Sequence, residues 1–418
     1  MWRSFQIRLN GFVERLVKFS TLSGEAKKAV AIQVIFTFAA TLSGTFLNIF
    51  LWKETQSLTS IALHNIAWAV SIPLFFVLNG YLLKKFHITI SIKVGLAILA
   101  TFYLWLLFLG SHSNSYLILF GFIRGGGEAL FWSSYNLLTY DFTHDKNRDV
   151  YFGVNGILNT VFGVFAPFLA GFLMVFNGRL ANLGYYLIFA FTIVLFLVAL
   201  VISDKLRTKK KNSFRLKQIW RLHQRNKNWV NVQKASFIQG FSGGIFGFLV
   251  GILTFFILKN EISVGGFAGI LGLLSLLTNF FITRKIKPAT RVTYAFSGAV
   301  LLVLSSILLP ISLSVTALFI FNLIRSIGMP LFTNSTSPMT LLAIDADREA
   351  AHLRYEYLVN NEIFTALGRS LVLALFIWFS SLVSDPAASR FILLLVGIAP
   401  LLVLFYLSKI SCSVKTGR

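Results

Sequence analysis

Long apolar runs recur along the whole chain and constrain its fold more than any other feature. Stretches such as "VGLAILATFYLWLLFLG" and "YYLIFAFTIVLFLVALVI" can cross the hydrocarbon core of a bilayer, which takes about 20 helical residues. Backbone polar groups find no water there, so each such run must be a helix. The sequence predicts an all-α polytopic membrane protein with twelve spans: 29–52, 59–83, 88–110, 115–142, 150–176, 182–204, 235–258, 263–283, 292–311, 315–343, 355–383 and 389–410.

The basic residues of the chain indicate its orientation in the membrane. In a soluble protein, a net charge of +23 would suggest a nucleic-acid partner. Here the 38 Lys and Arg residues are concentrated in alternate connections, beginning with the N-terminus. The other connections hold only Lys53, Arg179, Lys259 and Arg390. By the positive-inside rule we expect a cell-membrane protein with both termini in the cytoplasm and no nucleic-acid partner.

The sequence shows no residue spacing that is typical of a catalytic or metal-binding site. The chain has one cysteine and six histidines, and the histidines are scattered without metal-ligand spacing. It contains no Ser-His-Asp pattern and no P-loop. The sequence therefore predicts that the protein is not an enzyme and that it uses no cofactor or metal.

The spans divide into two similar halves. The most basic connection, 205–234, separates six spans in 1–204 from six in 235–418, so we expect two six-helix bundles joined by a cytoplasmic linker. The segment "FGFIRGGGEALF" (120–131) has a counterpart in "FNLIRSIGMPLF" (321–332), where Phe, Ile-Arg, Gly and Leu-Phe recur in order. Repeated helices of this kind are typical of transporters, whose site lies at the midplane between the repeats.

These features together resemble the major facilitator superfamily, and the resemblance extends over the whole chain. Two motifs support it. The fifth span reads "GVFAPFLAG" and matches the pattern of the family's exporters at Gly163, Ala166, Pro167, Ala170 and Gly171. The loop after the second span, "GYLLKKFHI", keeps the family's glycine and basic residue at Gly80 and Lys85, but Lys84 replaces the aspartate and His87 the second glycine. The resemblance implies alternating access, a small-molecule substrate and a functional monomer.

The fourth span carries charges inside an apolar helix. Arg124, Glu128, Trp132 and Tyr135 share one stripe of this helix. A charge at the bilayer centre costs roughly 2.5–3.5 kcal/mol on insertion scales, so the stripe must face the protein interior. Spacing of four residues lets Arg124 and Glu128 offset each other. Two interpretations follow: Glu128 carries a proton during transport, or the pair is neutral scaffolding between helices.

Other polar and small residues extend the predicted site and its packing. Arg325 lacks an acid one turn away, and we expect Glu362 of the eleventh span to pair with it. Arg369 lies on the same stripe as Glu362, while Asn155 and Asn159 share a face of the fifth span. Small residues at intervals of four predict tight helix contacts. This spacing occurs at Gly243, Gly247 and Gly251 of the seventh span.

The leading functional prediction is proton-coupled efflux of a small, amphipathic molecule. One alternative is an uptake symporter for an anionic metabolite, because intramembrane arginines can bind a carboxylate or phosphate through two hydrogen bonds. Another is a flippase for a lipid or lipid-linked glycan, which needs a more apolar cavity. Protons, the substrate and the bilayer are the expected partners.

Overall fold

The structure, a computed structural model, describes residues 22–110, 115–142, 148–178, 182–206, 214–282, 286–287, 289–347 and 350–416. These residues are almost entirely helical. The N-terminal half contains α1 Gly24–Thr55, α2 Leu58–Lys85, α3 Ile88–Leu109, α4 Leu117–Phe142, α5 Arg148–Leu173 and α6 Leu183–Asp204, with a 3₁₀ turn at Met174–Gly178.

A short helix and the C-terminal half follow. The short helix is α7, Leu216–Arg225. The spanning helices are α8 Lys227–Leu258, α9 Glu261–Ile282, α10 Arg291–Ile311, α11 Val315–Asp345, α12 Ala350–Leu382, α13 Asp385–Gly397 and α14 Ala399–Thr416. We call the end of the bundle where α2 ends and α8 begins the basic face. The helix α8 starts within the segment predicted to be the linker.

Eleven of the twelve predicted spans coincide with described helical segments that are long and apolar enough to cross a membrane. The predicted fourth span is α4, a continuous helix of 26 residues. Its three charged residues, its glycines and its serines lower its hydropathy. It lies between α2 and α3. The predicted twelfth span is divided at Ile398 into α13 and α14. Pro400 has no backbone N–H to continue the helix, which accounts for this break.

The two halves repeat one packing arrangement. In the N-terminal half α4 packs on α2 and α3, α3 packs on α6, and α1 packs on α5 and α6. In the C-terminal half α11 packs on α9 and α10, α10 packs on α13 and α14, and α8 packs on α12 and α14. Each contact of one half has its counterpart in the other, as expected for a duplicated six-helix unit.

Glycines set the closest helix approaches in α4. A Cβ atom added to Gly125 would lie 1.9 Å from Ser71 Oγ and 2.4 Å from Trp68 O of α2. One added to Gly127 would lie 2.8 Å from Leu99 Cγ of α3. These two glycines therefore let α4 touch both neighbours at once, at a helix-propensity cost of about 1 kcal/mol each.

The predicted tight contact of Gly243, Gly247 and Gly251 in α8 is wrong. A Cβ added at any of the three would meet nothing within 4 Å. The close contact uses another face of α8, where a Cβ added to Gly240 would lie 2.1 Å from Thr365 O of α12. The spacing of small residues therefore indicated a face of α8 that has no close neighbour among the described residues.

The two most extensive seams between the halves are those of α2 with α12 and of α5 with α9. At the first seam the Tyr355 hydroxyl donates to the Phe76 carbonyl oxygen at 2.7 Å. At the second, a Cβ added to Gly171 would lie 3.0 Å from Gly265 Cα. At the end of the bundle opposite the basic face, Lys53 of α1 forms an ion pair with Glu261 of α9.

Candidate functional site

The Arg124–Glu128 pair predicted on α4 is present in the structure. The Nε of Arg124 donates to Oε1 of Glu128 at 2.9 Å, and the side chains are only 17% and 18% exposed. The other carboxylate oxygen is also satisfied, because the indole Nε1 of Trp68 on α2 donates to Oε2 of Glu128 at 2.9 Å. Glu128 thus accepts one charged and one neutral hydrogen bond.

A second ion pair faces the first from the other half of the molecule. Arg369 and Glu362 lie two turns apart on α12, with Nη1 of Arg369 4.0 Å from Oε2 of Glu362. The ring centre of Trp68 is 5.1 Å from Cζ of Arg369 and 5.3 Å from Cζ of Arg124. Both separations are within the range of cation–π attraction. Trp68 therefore contacts a guanidinium from each half.

These groups surround a cavity of about 290 Å³ between α2, α4 and α12. Polar and aromatic side chains share its wall, which consists of Trp68, Ile72, Phe76, Glu128, Ala129, Trp132, Asn136, Glu362 and Arg369. Both halves contribute charged residues, so the two ion pairs lie on opposite sides of the boundary between the halves. The cavity thus combines titratable acids, guanidiniums and aromatic faces at the boundary between the halves.

A larger recess, of about 490 Å³, lies between α10 and α14. Its lining is apolar apart from two hydroxyl groups, and it includes the outward-facing side chains of Phe296 and Phe405. Outward-facing apolar side chains are expected wherever a membrane protein meets lipid tails. We therefore place the candidate site at the smaller cavity, where the charges lie.

Comparison with known proteins decides the family. The sequence matches the Major Facilitator Superfamily over residues 29–353. It is 30% identical over 386 residues to the protein YqgE of Bacillus subtilis (strain 168), covering 92% of this chain and 89% of that protein. The chain belongs to the major facilitator superfamily. It is accordingly a multi-pass membrane transporter and not an enzyme.

Solved structures of major facilitator proteins share the fold of this chain. The nucleoside transporter NupG superposes with a TM-score of 0.68 at 11% identity, covering 93% of this chain and 99% of that one. A bacterial homologue of the human lysosomal transporter Spinster superposes with a TM-score of 0.67 at 14% identity, covering 95% of this chain and 99% of that one. At these identities the likeness extends to the architecture only.

Within this fold, the predicted exporter motif of α5 lies at a seam and not in the cavity wall. Ala166 and Ala170 are fully buried. Pro167 contributes its carbonyl oxygen, which would lie 2.9 Å from a Cβ added to Gly265 of α9. Gly171 packs directly on Gly265, whereas Gly163 has open space beside it. The motif thus keeps α5 and α9 of opposite halves in close backbone contact.

The loop motif after α2 also lies at a boundary between the halves. The ring of Phe214, which precedes α7, would lie 2.8 Å from a Cβ added to Gly80. The same ring contacts Tyr355 of α12, with centroids 5.6 Å apart. The side chain of Lys85 is exposed on the basic face.

The structure places several predicted site residues away from the cavity. Tyr135 is buried, and its hydroxyl donates to Gln33 Oε1 at 3.0 Å and lies 2.6 Å from the Tyr151 hydroxyl. The side-chain amide of Asn159 donates to Oδ1 of Asn155 on its own helix at 3.2 Å. Neither asparagine lines the cavity.

The predicted pairing of Arg325 with Glu362 is wrong. Glu362 pairs with Arg369 on its own helix, and Arg325 packs on Phe246 of α8, with Cζ 3.8 Å from the ring centre. Among the residues that the structure describes, Arg325 forms no ion pair. An aromatic face therefore takes the place of the expected acid.

Sequence reasoning also missed Trp68, which contacts both arginines of the cavity. A usable signal was present: Trp68, Ile72 and Phe76 recur every four residues on α2 and form one face of that helix. The cavity lies on this face, while the outer face of α2 carries exposed side chains such as Leu74 and Leu78.

Proposed function

We propose that the protein exports a small, amphipathic and positively charged molecule in exchange for protons, and that Glu128 is the proton carrier. The observation that supports this proposal is the placement of Glu128. It is a carboxylate in the wall of the cavity between the halves, held by Arg124 and Trp68 and adjacent to the space that a substrate would occupy.

The charges of the cavity wall favour exchange over co-transport for a cation. When both acids are ionised, the Arg124–Glu128 and Glu362–Arg369 pairs sum to zero charge. A proton on Glu128 leaves the wall positive, and a positive wall repels a cationic substrate. Proton and cation then exclude one another from the cavity, as antiport requires. The faces of Trp68 and Trp132 suit an apolar cation.

The remaining features of the proposal follow from the sequence. Residues 1–204 and 235–418 rock against each other across the α2–α12 and α5–α9 seams as a monomer in the cell membrane. The basic face is cytoplasmic by the positive-inside rule. The exporter motif at the α5–α9 seam supports efflux as the direction of transport.

A second candidate function is proton-coupled uptake of an anion, and Arg325 favours it. This guanidinium has no acidic partner among the described residues. A proton on Glu128 would also make the cavity attractive to an anion, so that proton and substrate would enter together. The two functions therefore differ in the charge of the substrate and in the sign of its coupling to protons.

The test is transport in reconstituted vesicles with an imposed pH gradient, normalised to folded protein. The probes are a lipophilic cation, tetraphenylphosphonium, and an aromatic monocarboxylate, benzoate. We expect the wild type to move the cation against the proton flux and Glu128→Gln to lose the gradient-driven component. Glu362→Gln also leaves the wall positive, so it should lower the rate but keep the dependence on the gradient.

If Glu128→Gln transports at the wild-type rate, Glu128 is not the proton carrier. Movement of benzoate together with protons, and none of the cation, would replace export with the anion-uptake function. Glu362→Gln is the matched control, because it removes a carboxylate from the same cavity and leaves the proposed carrier in place.

A further inference from the structure

The short helix α7 is fastened to the basic face along one side only. Ile219 and Leu222, on the inner side of α7, are buried against the rest of the protein. The amide Nδ2 of Asn360 on α12 donates to the Ile219 carbonyl oxygen at 3.1 Å. The backbone N–H of Arg215, just before the helix, donates to Glu356 Oε1 at 2.8 Å. These bonds fix the orientation of α7 against α12.

The side of α7 that is turned away from the protein combines apolar and basic residues. Trp220 is 58% exposed and Leu216, one turn earlier, is 38% exposed. Lys217 and Arg221 lie beside these two residues on the surface of α7 and are also exposed. Neither of these cations forms an ion pair within the part of the chain that the structure describes.

The helix α7 lies at the basic face, beside the end of α2 and the start of α8. Asn360, which holds Ile219, also accepts at Oδ1 from Trp229 Nε1, 2.8 Å away, near the start of α8. Phe214, just before the N-terminus of α7, packs on Tyr81 of α2 with ring centroids 5.2 Å apart. Tyr81 continues the exposed apolar side of α2, so α7 adjoins the surface that lipid covers.

Tryptophan is enriched where membrane proteins meet the lipid headgroups, and a helix with one apolar and one basic side lies in that plane. Lys and Arg near an anionic leaflet are attracted by its negative surface potential. We propose that α7 binds anionic phospholipids, with Trp220 and Leu216 at the acyl boundary and Lys217 and Arg221 on the headgroup phosphates.

The proposal is tested with the full-length protein in mixed vesicles of phosphatidylcholine and phosphatidylglycerol, in which only one lipid carries brominated chains. Bromine quenches indole fluorescence at short range. The chain has eight tryptophans, so the signal of Trp220 is the difference between the wild type and Trp220→Phe. We expect brominated phosphatidylglycerol to quench this signal more strongly than brominated phosphatidylcholine at the same mole fraction.

The basic pair is tested by Lys217→Gln/Arg221→Gln, which should keep the quenching of Trp220 and lose the preference for phosphatidylglycerol. The matched control, Lys287→Gln/Lys409→Gln, removes two exposed lysines elsewhere and should keep that preference.

Two outcomes would overturn the proposal. Equal quenching of the wild-type signal by both lipids would show an interfacial helix that does not select anionic headgroups. Quenching by aqueous acrylamide but by neither lipid would place Trp220 in water, where an acidic soluble partner fits better. Both measurements are independent of transport activity and therefore of the function proposed above.

Discussion

The helix pair α3–α4 of the N-terminal half and the pair α10–α11 of the C-terminal half make the same contact. A Cβ added to Gly95 would lie 2.8 Å from Gly127 O, and one added to Gly298 would lie 2.9 Å from Gly328 O. The two contacts agree within 0.1 Å although they are about two hundred residues apart in sequence. The distance between the backbones of the paired helices is therefore nearly the same in the two halves.

The charges of the same helices do not follow it. Arg124 of α4 has its own acid, Glu128, one turn along. Arg325, at the corresponding position of α11, has Met329 there and packs on Phe246 instead. Close packing tolerates few side-chain shapes, whereas a cation inside a bundle is stabilised by either an acid or an aromatic face. The halves are therefore equivalent as scaffolds and different as chemical sites.

The largest expected effect comes from a substitution at Gly125, where α4 and α11 carry residues of different size. Ser326 is the counterpart of Gly125, so Gly125→Ser gives α4 the residue of α11. Its Cβ would lie 2.4 Å from the Trp68 carbonyl oxygen, which is fixed in the backbone of α2. We expect a loss of more than about 3 kcal/mol in the free energy of unfolding, at the upper end of overpacking costs.

This loss is measured as the thermal unfolding midpoint in detergent. The reverse change, Ser326→Gly, is the control and should cost only about 1 kcal/mol in helix propensity. Equal stability of the two variants would mean that the two positions are not packed differently.

The second prediction compares the loss of Arg124 with the loss of Arg325. Arg124→Ala leaves the Glu128 carboxylate without its cation in a site that is mostly shielded from water, and we expect a loss of about 3 kcal/mol. Arg325→Ala removes the cation–π contacts with Phe246 and Phe321 and should cost about 1 kcal/mol. Chemical unfolding of both variants measures the difference.

The double variant Arg124→Ala/Glu128→Gln sharpens this comparison. It has no unpaired charge, so it should recover part of the stability that Arg124→Ala loses. If the double variant is no more stable than the single one, the cost lies in lost packing of the Arg124 side chain and not in the unpaired acid.

The smallest effect concerns Trp68, which has no aromatic counterpart. Aligned on Asn79 of α2 and Asn279 of α9, its position in the C-terminal half is Ala268. Trp68→Leu removes both cation–π contacts and the hydrogen bond to Glu128. We expect gradient-driven transport per folded protein to fall about tenfold, which corresponds to about 1.4 kcal/mol in the barrier. Trp68→Phe keeps an aromatic face and should lie between Trp68→Leu and the wild type.

Trp378→Leu is the control for this series, because Trp378 is exposed on the outer surface of α12. It should transport at the wild-type rate. A Trp68→Leu variant with wild-type transport would show that the two ion pairs act without the indole between them.

Local sequence spacing was enough for some of these features. Apolar runs of sufficient length fix the spanning helices, and the interval of four residues fixes the Arg124–Glu128 pair, because both depend on one helix only. The recurrence of Ile-Arg in α4 and α11 likewise identified the duplication.

The remaining features depend on which helix lies beside which. Whether Arg325 meets Glu362 or Phe246 is decided by the rotation of α8 and α12 about their axes, and no interval within α11 encodes it. The same holds for Tyr135, which shares a stripe with Trp132 but lies where α1 and α5 cover it. Sequence spacing therefore predicted faces, and the contacts of those faces required the structure.

The internal pairing of charge around the cavity has a consequence for the membrane voltage. Moving one elementary charge through the field costs or yields about 2.3 kcal/mol per 100 mV. Arg124, Glu128, Glu362 and Arg369 form two pairs that sum to zero. When the cavity wall moves with its acids ionised, the field does no net work on these four residues. The voltage then acts on this part of the molecule only through the proton or the substrate that the cavity carries.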